Sequence, residues 1–216
     1  MSAPQAGPLR MMGTLGLAGM ISGLAIVGIF LLTQPRIERN RAEALEAAIF
    51  RVLHGASSRV AYVMRGSKLV PFESANGGLP KEPAVYAGYD ASGKLVGFAI
   101  PAEGAGFQDT IQLIYGFDAK TRRVVGMEVL ESRETPGLGD KIIKDSKFLA
   151  NFHDLAVDPK VVVVKSGKKT DNEVDAISGA TISSKAVVKI INDSNQRWLD
   201  RVEALAKTIG NGGGPK

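Results

Sequence analysis

The chain has 216 residues, which suits one domain with an appendage and is long enough to bury a proper hydrophobic core. Its formal net charge is +5, but the basic residues are scattered, which argues against a nucleic-acid-binding surface. The sequence has no cysteine, which excludes disulfides, cysteine-ligated iron–sulfur clusters and thiol catalysis in this chain. The two histidines, His54 and His153, lie far apart in sequence without a partner at metal-ligand spacing, so we expect surface or interface residues and no metal site. Any redox group would have to be an added organic cofactor.

The amino-terminal part of the chain is predicted to be a membrane anchor. Residues 1–10 form a short polar tail, and residues 11–33 carry no charged side chain. A helix over 11–33 is long enough to cross roughly 30 Å of hydrocarbon. The alternative is a cleaved signal peptide, but its apolar region would be shorter and would end at a small-residue cleavage site. Gly19 and Gly23 share one helix face, where either a partner helix approaches or glycine is simply tolerated in lipid.

A second, amphipathic helix is predicted within residues 34–56. Pro35 suits a first helical turn, and apolar residues recur on one stripe after it. These residues are Ile37, Leu45, Ile49 and Leu53. We expect this helix to link the anchor to a globular domain over 57–209. The glycine-rich residues 210–216 are expected to be a disordered tail.

The globular part is predicted to contain an antiparallel sheet with flanking helices, an α+β fold. Strand-forming residues are enriched over 60–64, 84–89, 94–100, 110–117 and 123–130. Short turns at 90–93 and 118–121 indicate that successive strands are antiparallel neighbours, which excludes a parallel Rossmann sheet. The glycine-containing segment 103–107 lacks the third glycine of a dinucleotide fingerprint and is followed by a strand. Residues 167–170 lack the upstream glycine of a P-loop, so we predict neither an NAD nor an ATP site.

A tight turn is predicted after the last of these strands. Pro136 and Gly137 suit the two central positions of a type II turn, and the proline holds Thr135 extended. Asp140 is expected to cap a short helix over 141–144. Taken alone, a turn of this kind is usually structural.

Residues 175–184 join a short apolar segment to a helix that is predicted from Thr181 past Trp198. Gly179 permits a tight bend, and the serine and threonine hydroxyls are expected to cap the amides of the first turn. Those amides and the helix dipole also favour a bound phosphate. A well-capped helix without a ligand is the alternative explanation of the same residues.

Together, the segments Glu134 to Gly139 and Asp175 to Thr181 resemble two motifs of FMN-binding domains that carry their flavin on a threonine. Within this family the whole chain resembles the G subunit of the Rnf electron-transport complex and its relative, the C subunit of the sodium-translocating NADH:quinone reductase. The resemblance implies that a separate flavin transferase esterifies the hydroxyl of Thr181 with the phosphate of FMN. The transferase would recognise Asp175, Ser178, Gly179 and Ala180 together with Thr181.

The resemblance also implies which residues contact the cofactor. Glu134, Thr135, Gly137 and Leu138 are expected at the isoalloxazine ring, with the amides of Gly137 and Leu138 facing ring carbonyls. The Leu138 side chain would cover an apolar face of the ring. Ser178, Gly179 and Ala180 would surround the attachment point. Lys185, one turn after Thr181, would screen the remaining phosphate charge.

The implied function is that of an electron carrier in an ion-pumping complex that couples NADH and ferredoxin oxidation–reduction. The chain would have no catalytic residue of its own, and its partners would be the other subunits, the bilayer and the transferase. The alternatives are a C-type subunit of the quinone reductase, a stand-alone flavin reductase, and a cofactor-free structural or regulatory subunit.

The orientation in the membrane is predicted differently by two lines of reasoning. The resemblance places the large domain on the periplasmic side of a bacterial inner membrane. Only Arg10 precedes the apolar segment, whereas Arg36, Arg39 and Arg41 follow it. The positive-inside rule by itself therefore favours a cytoplasmic domain. We follow the resemblance.

Overall fold

The computed structural model describes residues 7–73, 78–80 and 82–210. Most of the predicted amino-terminal tail and nearly all of the predicted carboxy-terminal tail lie outside these residues. Residues up to Glu43 form one unit, and residues from Ala44 onward form a second, compact unit.

Helix α1 spans Pro8–Val52 without interruption, where the sequence predicted separate helices over 11–33 and 34–56. Pro35 lies inside this helix and does not begin a new one. A proline removes one hydrogen bond and crowds the preceding turn, which favours a break but does not require one. Among the described residues, α1 is the one helix that is long and apolar enough to cross a membrane.

Seven antiparallel strands form the main sheet of the second unit, in the order β2-β1-β3-β4-β5-β6-β7. The strands are β1 (Ser58–Arg65), β2 (Lys68–Pro71), β3 (Ala84–Tyr89), β4 (Leu95–Ala105), β5 (Thr110–Asp118), β6 (Arg123–Glu131) and β7 (Leu155–Ala156). The five predicted strands correspond to β1, β3, β4, β5 and β6, and their antiparallel order is confirmed. The sequence analysis missed β2 and β7, which are short edge strands.

In the part of this unit that the structure describes, three further helices and a small second sheet accompany the main sheet, which confirms the α+β class. They are α2 (Lys141–Lys144), α3 (Ser146–Ala150), β8 (Val162–Val164), β9 (Glu173–Asp175) and α4 (Thr181–Thr208), with β8 and β9 parallel. Asp140 was expected to cap α2, but its side chain makes no cap hydrogen bond and binds Lys144 at 2.7 Å. Its helical backbone conformation explains this, because a capping residue is normally extended.

The two faces of the main sheet bury different helices. On one face, α4 places Val187, Ile191 and Trp198 in the same core cluster as Leu113 and Tyr115. On the other face, the last turns of α1 form a second core cluster with residues of β1, β3, β4 and β5. The compact unit therefore begins at Ala44, within α1, because the end of that helix supplies part of this second core.

Four glycines on neighbouring strands allow the end of α1 to approach the sheet closely. They are Gly88, Gly97, Gly116 and Gly126. A Cβ atom at Gly88 would lie 2.6 Å from Cδ1 of Leu53, and one at Gly116 would overlap the carbonyl oxygen of Val52. Contact at this distance leaves no room for larger residues in the row.

Candidate functional site

The segment after β6 folds into the turn that the sequence predicted. The amide of Leu138 donates to the carbonyl of Thr135 at 3.1 Å, and Gly137 has a φ of +77°. A positive φ at the third position is what a type II turn requires, and glycine adopts it without strain. The Leu138 amide is therefore already used inside the turn. The expectation that it faces a flavin carbonyl was wrong, although the Leu138 side chain remains 49% exposed.

A second turn with the same pattern precedes α4. The amide of Ala180 donates to the carbonyl of Ile177 at 3.0 Å, and Gly179 has a φ of +82°. The buried hydroxyl of Ser184 holds this turn against the helix, since it accepts from the Ile177 amide at 3.1 Å and donates to the Ala180 carbonyl at 2.9 Å. The turn therefore delivers the chain into α4 in a fixed direction.

Helix α4 begins at Thr181, as predicted, but it is not capped as predicted. Its N-cap residue is Ala180, and within residues 7–73, 78–80 and 82–210 no side chain caps it. The serine hydroxyls that were expected to do so have other partners, Glu134 for Ser183 and the preceding turn for Ser184. The first amides of a helix have no partner inside the helix, so here they stay available for a ligand.

The two motifs line one pocket of about 370 Å³. Its lining residues are Phe107, Glu134, Thr135, Leu138, Gly139, Gly179, Ala180, Thr181, Ile182 and Ser183. A Cβ atom at Gly179 would lie 3.8 Å from Cδ2 of Leu138, so the two turns are neighbours in space although they are far apart in sequence. Of the predicted cofactor residues, Gly137, Ser178 and Lys185 are exposed and do not line the pocket.

Glu134 is a buried carboxylate at the floor of this arrangement, with 5% of its surface exposed. One oxygen accepts from the amides of Phe107 and Gln108 at 2.9 and 3.0 Å, and the other accepts from the hydroxyl of Ser183. Burial raises the pKa of Glu134, but these hydrogen bonds outweigh it, and the pKa lies below the ordinary value of a glutamate.

Two glycines make room for the Glu134 side chain. A Cβ atom at Gly139 would lie 2.7 Å from one carboxylate oxygen and 2.8 Å from the hydroxyl oxygen of Ser183. A Cβ atom at Gly106 would be just as close to the other carboxylate oxygen. Glycine at these positions lets the turn between β4 and β5, the Thr135–Leu138 turn and the start of α4 meet around one carboxylate.

Asp175, predicted as a recognition residue, lies at the end of β9 and does not line the pocket. Its carboxylate accepts from the amide of Lys168 at 3.0 Å, and its own amide donates to the buried side chain of Asn151 at 3.1 Å. It therefore ties the 165–169 loop to the strand that leads into the second turn.

Four pocket residues were not among the predicted cofactor residues, namely Phe107, Gly139, Ile182 and Ser183. Gly139 is the last residue of the predicted turn motif, but it was given no contact with the cofactor. Phe107 lies in the β4–β5 turn, inside the segment that was rejected as a dinucleotide fingerprint. Gly106 next to an aromatic residue was the available signal, but nothing local connected that turn with residues 134–139. Ile182 and Ser183 directly follow Thr181, but Ser183 was expected only to cap the helix and Ile182 was given no role.

A second cavity and the two histidines lie away from this pocket. A larger cavity of about 970 Å³ is lined by the β3–β4 and β5–β6 turns and the last turns of α4, and it contains neither motif. His54 and His153 are both exposed, and their ring centroids are 6.1 Å apart, so they are near neighbours in space despite their separation in sequence. In the described part of the chain, no group of three or more potential metal ligands occurs.

Residues 106–196 match the family model of the FMN-binding domain. Two solved structures share the fold. The chain superposes on NqrC of Shewanella oneidensis with a TM-score of 0.60 and 17% identity, covering 77% of this chain and 99% of that one. It superposes on the C subunit of the Na(+)-translocating NADH-quinone reductase of Parabacteroides distasonis with a TM-score of 0.57 and 21% identity, covering 76% and 94%.

The solved structures share only the fold, whereas the relatives found by sequence are G subunits of ion-translocating oxidoreductases. They confirm the resemblance to that subunit. The chain is 39% identical over 109 residues to the G subunit of the ion-translocating oxidoreductase complex of Methanosarcina acetivorans, covering 50% of this chain and 55% of that protein. It is 29% identical over 174 residues to the G subunit of the proton-translocating ferredoxin:NAD(+) oxidoreductase complex of Clostridium ljungdahlii, covering 81% and 82%. Over 200 residues it is 27% identical to the G subunit of the Haemophilus influenzae complex, covering 89% and 94%.

Proposed function

We propose that this chain is the electron-carrier subunit of a membrane-bound, ion-translocating NADH:ferredoxin oxidoreductase complex. It relays electrons through FMN that is attached to Thr181 by a phosphoester bond. One observation carries the proposal: Thr181 is the first residue of an uncapped helix, in a pocket lined by both motifs. The match of residues 106–196 to the FMN-binding domain supports FMN as the occupant.

The residues of the pocket fit this cofactor chemically. Its volume of about 370 Å³ lies within the usual range of small-molecule sites, roughly 300–1,000 Å³. Phe107, Leu138 and Ile182 offer apolar surface to a flat ring system. The free amides and the dipole at the start of α4 favour a phosphate at Thr181, and Lys185 adds a positive charge one turn further on.

Thr181 is suited to modification because it is only partly buried. In the proposed maturation step its Oγ forms a bond to phosphorus and the hydroxyl proton leaves. At the same time the bond between the FMN phosphate and a nucleoside monophosphate breaks in a flavin dinucleotide donor held by the transferase. The nucleoside monophosphate leaves with the electron pair of that bond, and the riboflavin part stays on its phosphate. Thr181 reacts once in this way, and we assign no catalytic residue for turnover to the chain.

The attached flavin would supply one- and two-electron chemistry, and the protein would supply position and environment. The turns at the pocket would fix the ring relative to the sheet, because hydrogen bonds tie them to α4. Glu134, next to the first turn, binds Ser183, and the second turn binds Ser184. The apolar side chains at the rim limit access of water. The chain thus contributes attachment and orientation, which are the tasks of a relay.

Helix α1 is the proposed anchor, with the FMN-binding domain on the periplasmic side of a bacterial inner membrane. The partners are the other subunits of the complex and, during maturation, the flavin transferase. The chain is similar in sequence to the G subunits of two complexes over most of its length. Its similarity to a C-type quinone reductase subunit is one of fold, so we favour the assignment as a G subunit.

The mass of the intact protein tests the proposal. The full chain is produced together with a flavin transferase, in cells where a G subunit of another species is shown to become flavinylated. We expect an added mass equal to FMN minus water, its loss in Thr181→Ala, and its retention in Thr170→Ala, which changes an exposed threonine of another loop. Unmodified wild-type protein would contradict the proposal and favour a cofactor-free subunit. A Thr181→Ala variant that still carries the FMN mass would contradict Thr181 as the attachment residue.

A further inference from the structure

The exposed apolar side chains of the compact unit are concentrated at one place. Of the described residues from Ala44 onward, five large apolar side chains are strongly exposed. They are Phe107, Leu138, Ile143, Val162 and Ile182. Three of these line the 370 Å³ pocket, and each comes from a different element, namely the β4–β5 turn, the Thr135–Leu138 turn and α4. Leu138 belongs to a predicted flavin motif, whereas Phe107 and Ile182 belong to none.

Phe107 is the most exposed of the three, with 63% of its surface open, yet its backbone is firmly held. The Gly106 amide donates to the Asp109 carbonyl at 2.8 Å, which closes the turn. Glu134 accepts from the amides of Phe107 and Gln108, and the hydroxyl of Thr135 donates to the Gln108 side chain at 2.9 Å. Hydrogen bonds thus hold the backbone of the turn, while the aromatic side chain at its tip stays largely exposed to solvent.

We propose that Phe107 is a contact residue for the isoalloxazine ring and that Glu134 is the residue that positions it. This inference rests on the proposed function, because it requires a flavin in the pocket. Aromatic rings pack favourably in offset or edge-on arrangements, and the isoalloxazine system is flat and aromatic. Phe107 and Leu138 stand on different turns at the pocket, so a ring between them would be covered from more than one side.

Glu134 acts through the turn. Its carboxylate accepts from the amides of Phe107 and Gln108, which carry the aromatic ring and its neighbour. The same carboxylate binds Ser183, two residues after the attachment point. One buried side chain therefore sets the separation between the aromatic tip and the residue that bears the cofactor.

The experiment uses the full chain carrying its covalent flavin, with loading verified by intact mass. Iodide quenching of the flavin fluorescence reports how much of the ring is open to solvent. We expect Phe107→Ala to keep the FMN mass and to raise the quenching constant by about twofold, because a ring held between Phe107 and Leu138 would lose the cover of one of its two sides. Phe107→Leu keeps an apolar side chain of similar bulk and should raise the constant less than Phe107→Ala.

Val162→Ala is the matched control, because Val162 is 44% exposed and lies in β8, away from the pocket. It should leave quenching unchanged. Glu134→Gln should raise quenching in the same direction as Phe107→Ala, because it loosens the turn. A thermal melt confirms that each variant is folded. Unmodified protein would count against the proposed function itself, whereas full loading with unchanged quenching in Phe107→Ala would overturn this inference alone.

Discussion

The hydroxyl of Ser183 donates a hydrogen bond to the carboxylate of Glu134, which joins the first turn of α4 to the turn motif 49 residues earlier in the chain. Both groups are buried, with exposed fractions of 3% and 5%. This contact brings the two predicted flavin motifs to one pocket, and several measurable consequences depend on it.

Removing the Ser183 hydroxyl is expected to weaken this connection. Ser183→Ala deletes a hydrogen bond to a buried carboxylate, and such bonds contribute about 1.5–3 kcal/mol. We expect the free energy of unfolding in urea to fall by this amount. Ser166→Ala, at an exposed position of another loop, is the control and should change it little. A Ser183→Ala variant as stable as the control would mean that the contact adds nothing.

The lowered pKa of Glu134 predicts an acid-dependent contribution to stability. A carboxyl whose pKa is lower in the folded state contributes its full stabilisation above the unfolded value, about 4.3, and loses it as the pH falls through the folded value. The stability difference between wild type and Glu134→Gln should therefore be constant near neutral pH. It should shrink below about pH 4.3. Urea titrations from pH 7 to pH 3 measure it, and a difference that grows on acidification would refute the assignment.

The glycine row under the end of α1 predicts graded sensitivity to alanine. A Cβ atom at Gly116 would overlap the Val52 carbonyl and approach Cγ2 of Val125 to 2.9 Å, whereas one at Gly126 would lie 3.1 Å from the same carbonyl. Overpacking of this kind costs about 1–3 kcal/mol. We expect Gly116→Ala to lower the unfolding free energy within this range and Gly126→Ala to lower it less. Equal, negligible effects would show that the helix end shifts freely.

Lys185 is expected to act on the phosphate and not on the ring. In a Thr181→Ala background, where no covalent bond forms, Lys185→Gln should weaken FMN binding by about two- to fivefold at low salt, the size of an exposed charge interaction. Riboflavin, which lacks the phosphate, should bind both proteins equally. Lys189→Gln is the control, since Lys189 pairs with Asp193 at 2.6 Å. Calorimetric titrations decide this, and an equal loss for both flavins would exclude a phosphate contact.

Membrane orientation can be tested with reporters fused after the last residue. A phosphatase that is active only in the periplasm should be active, and a fluorescent protein that folds only in the cytoplasm should be dark. The reverse pattern would show that Arg36, Arg39 and Arg41 decide the topology, as the positive-inside rule predicts.

Local signals in the sequence predicted the local structure well. Pro136 followed by Gly137 predicted a turn that the hydrogen bond from Leu138 to Thr135 confirms. Runs of strand-forming residues predicted the central strands, and Thr181 was correctly placed at the start of a helix. These features depend on residues close together in the chain, which is why propensity and turn chemistry sufficed.

The errors came from contacts between distant residues. The serines expected to cap α4 instead bind groups that no local pattern identifies, namely the Glu134 carboxylate and the Ile177 and Ala180 backbone. Phe107 reached the site because a carboxylate 27 residues away holds its turn. His54 and His153 became neighbours only through the tertiary fold. In each case the partner was chosen by packing, which a single sequence does not display.

Helix α4 has a consequence for how precisely a relay of this kind can work. It runs for 28 residues from the pocket, about 42 Å, and most of its inner side is locked into the core. A cofactor attached to the first residue of this helix would be held as rigidly as the domain core, whereas one attached to a surface loop would move with the loop. The rate of electron transfer falls steeply as the distance between two redox centres grows. A rigidly attached flavin would keep that distance, and therefore the rate, the same in every turnover.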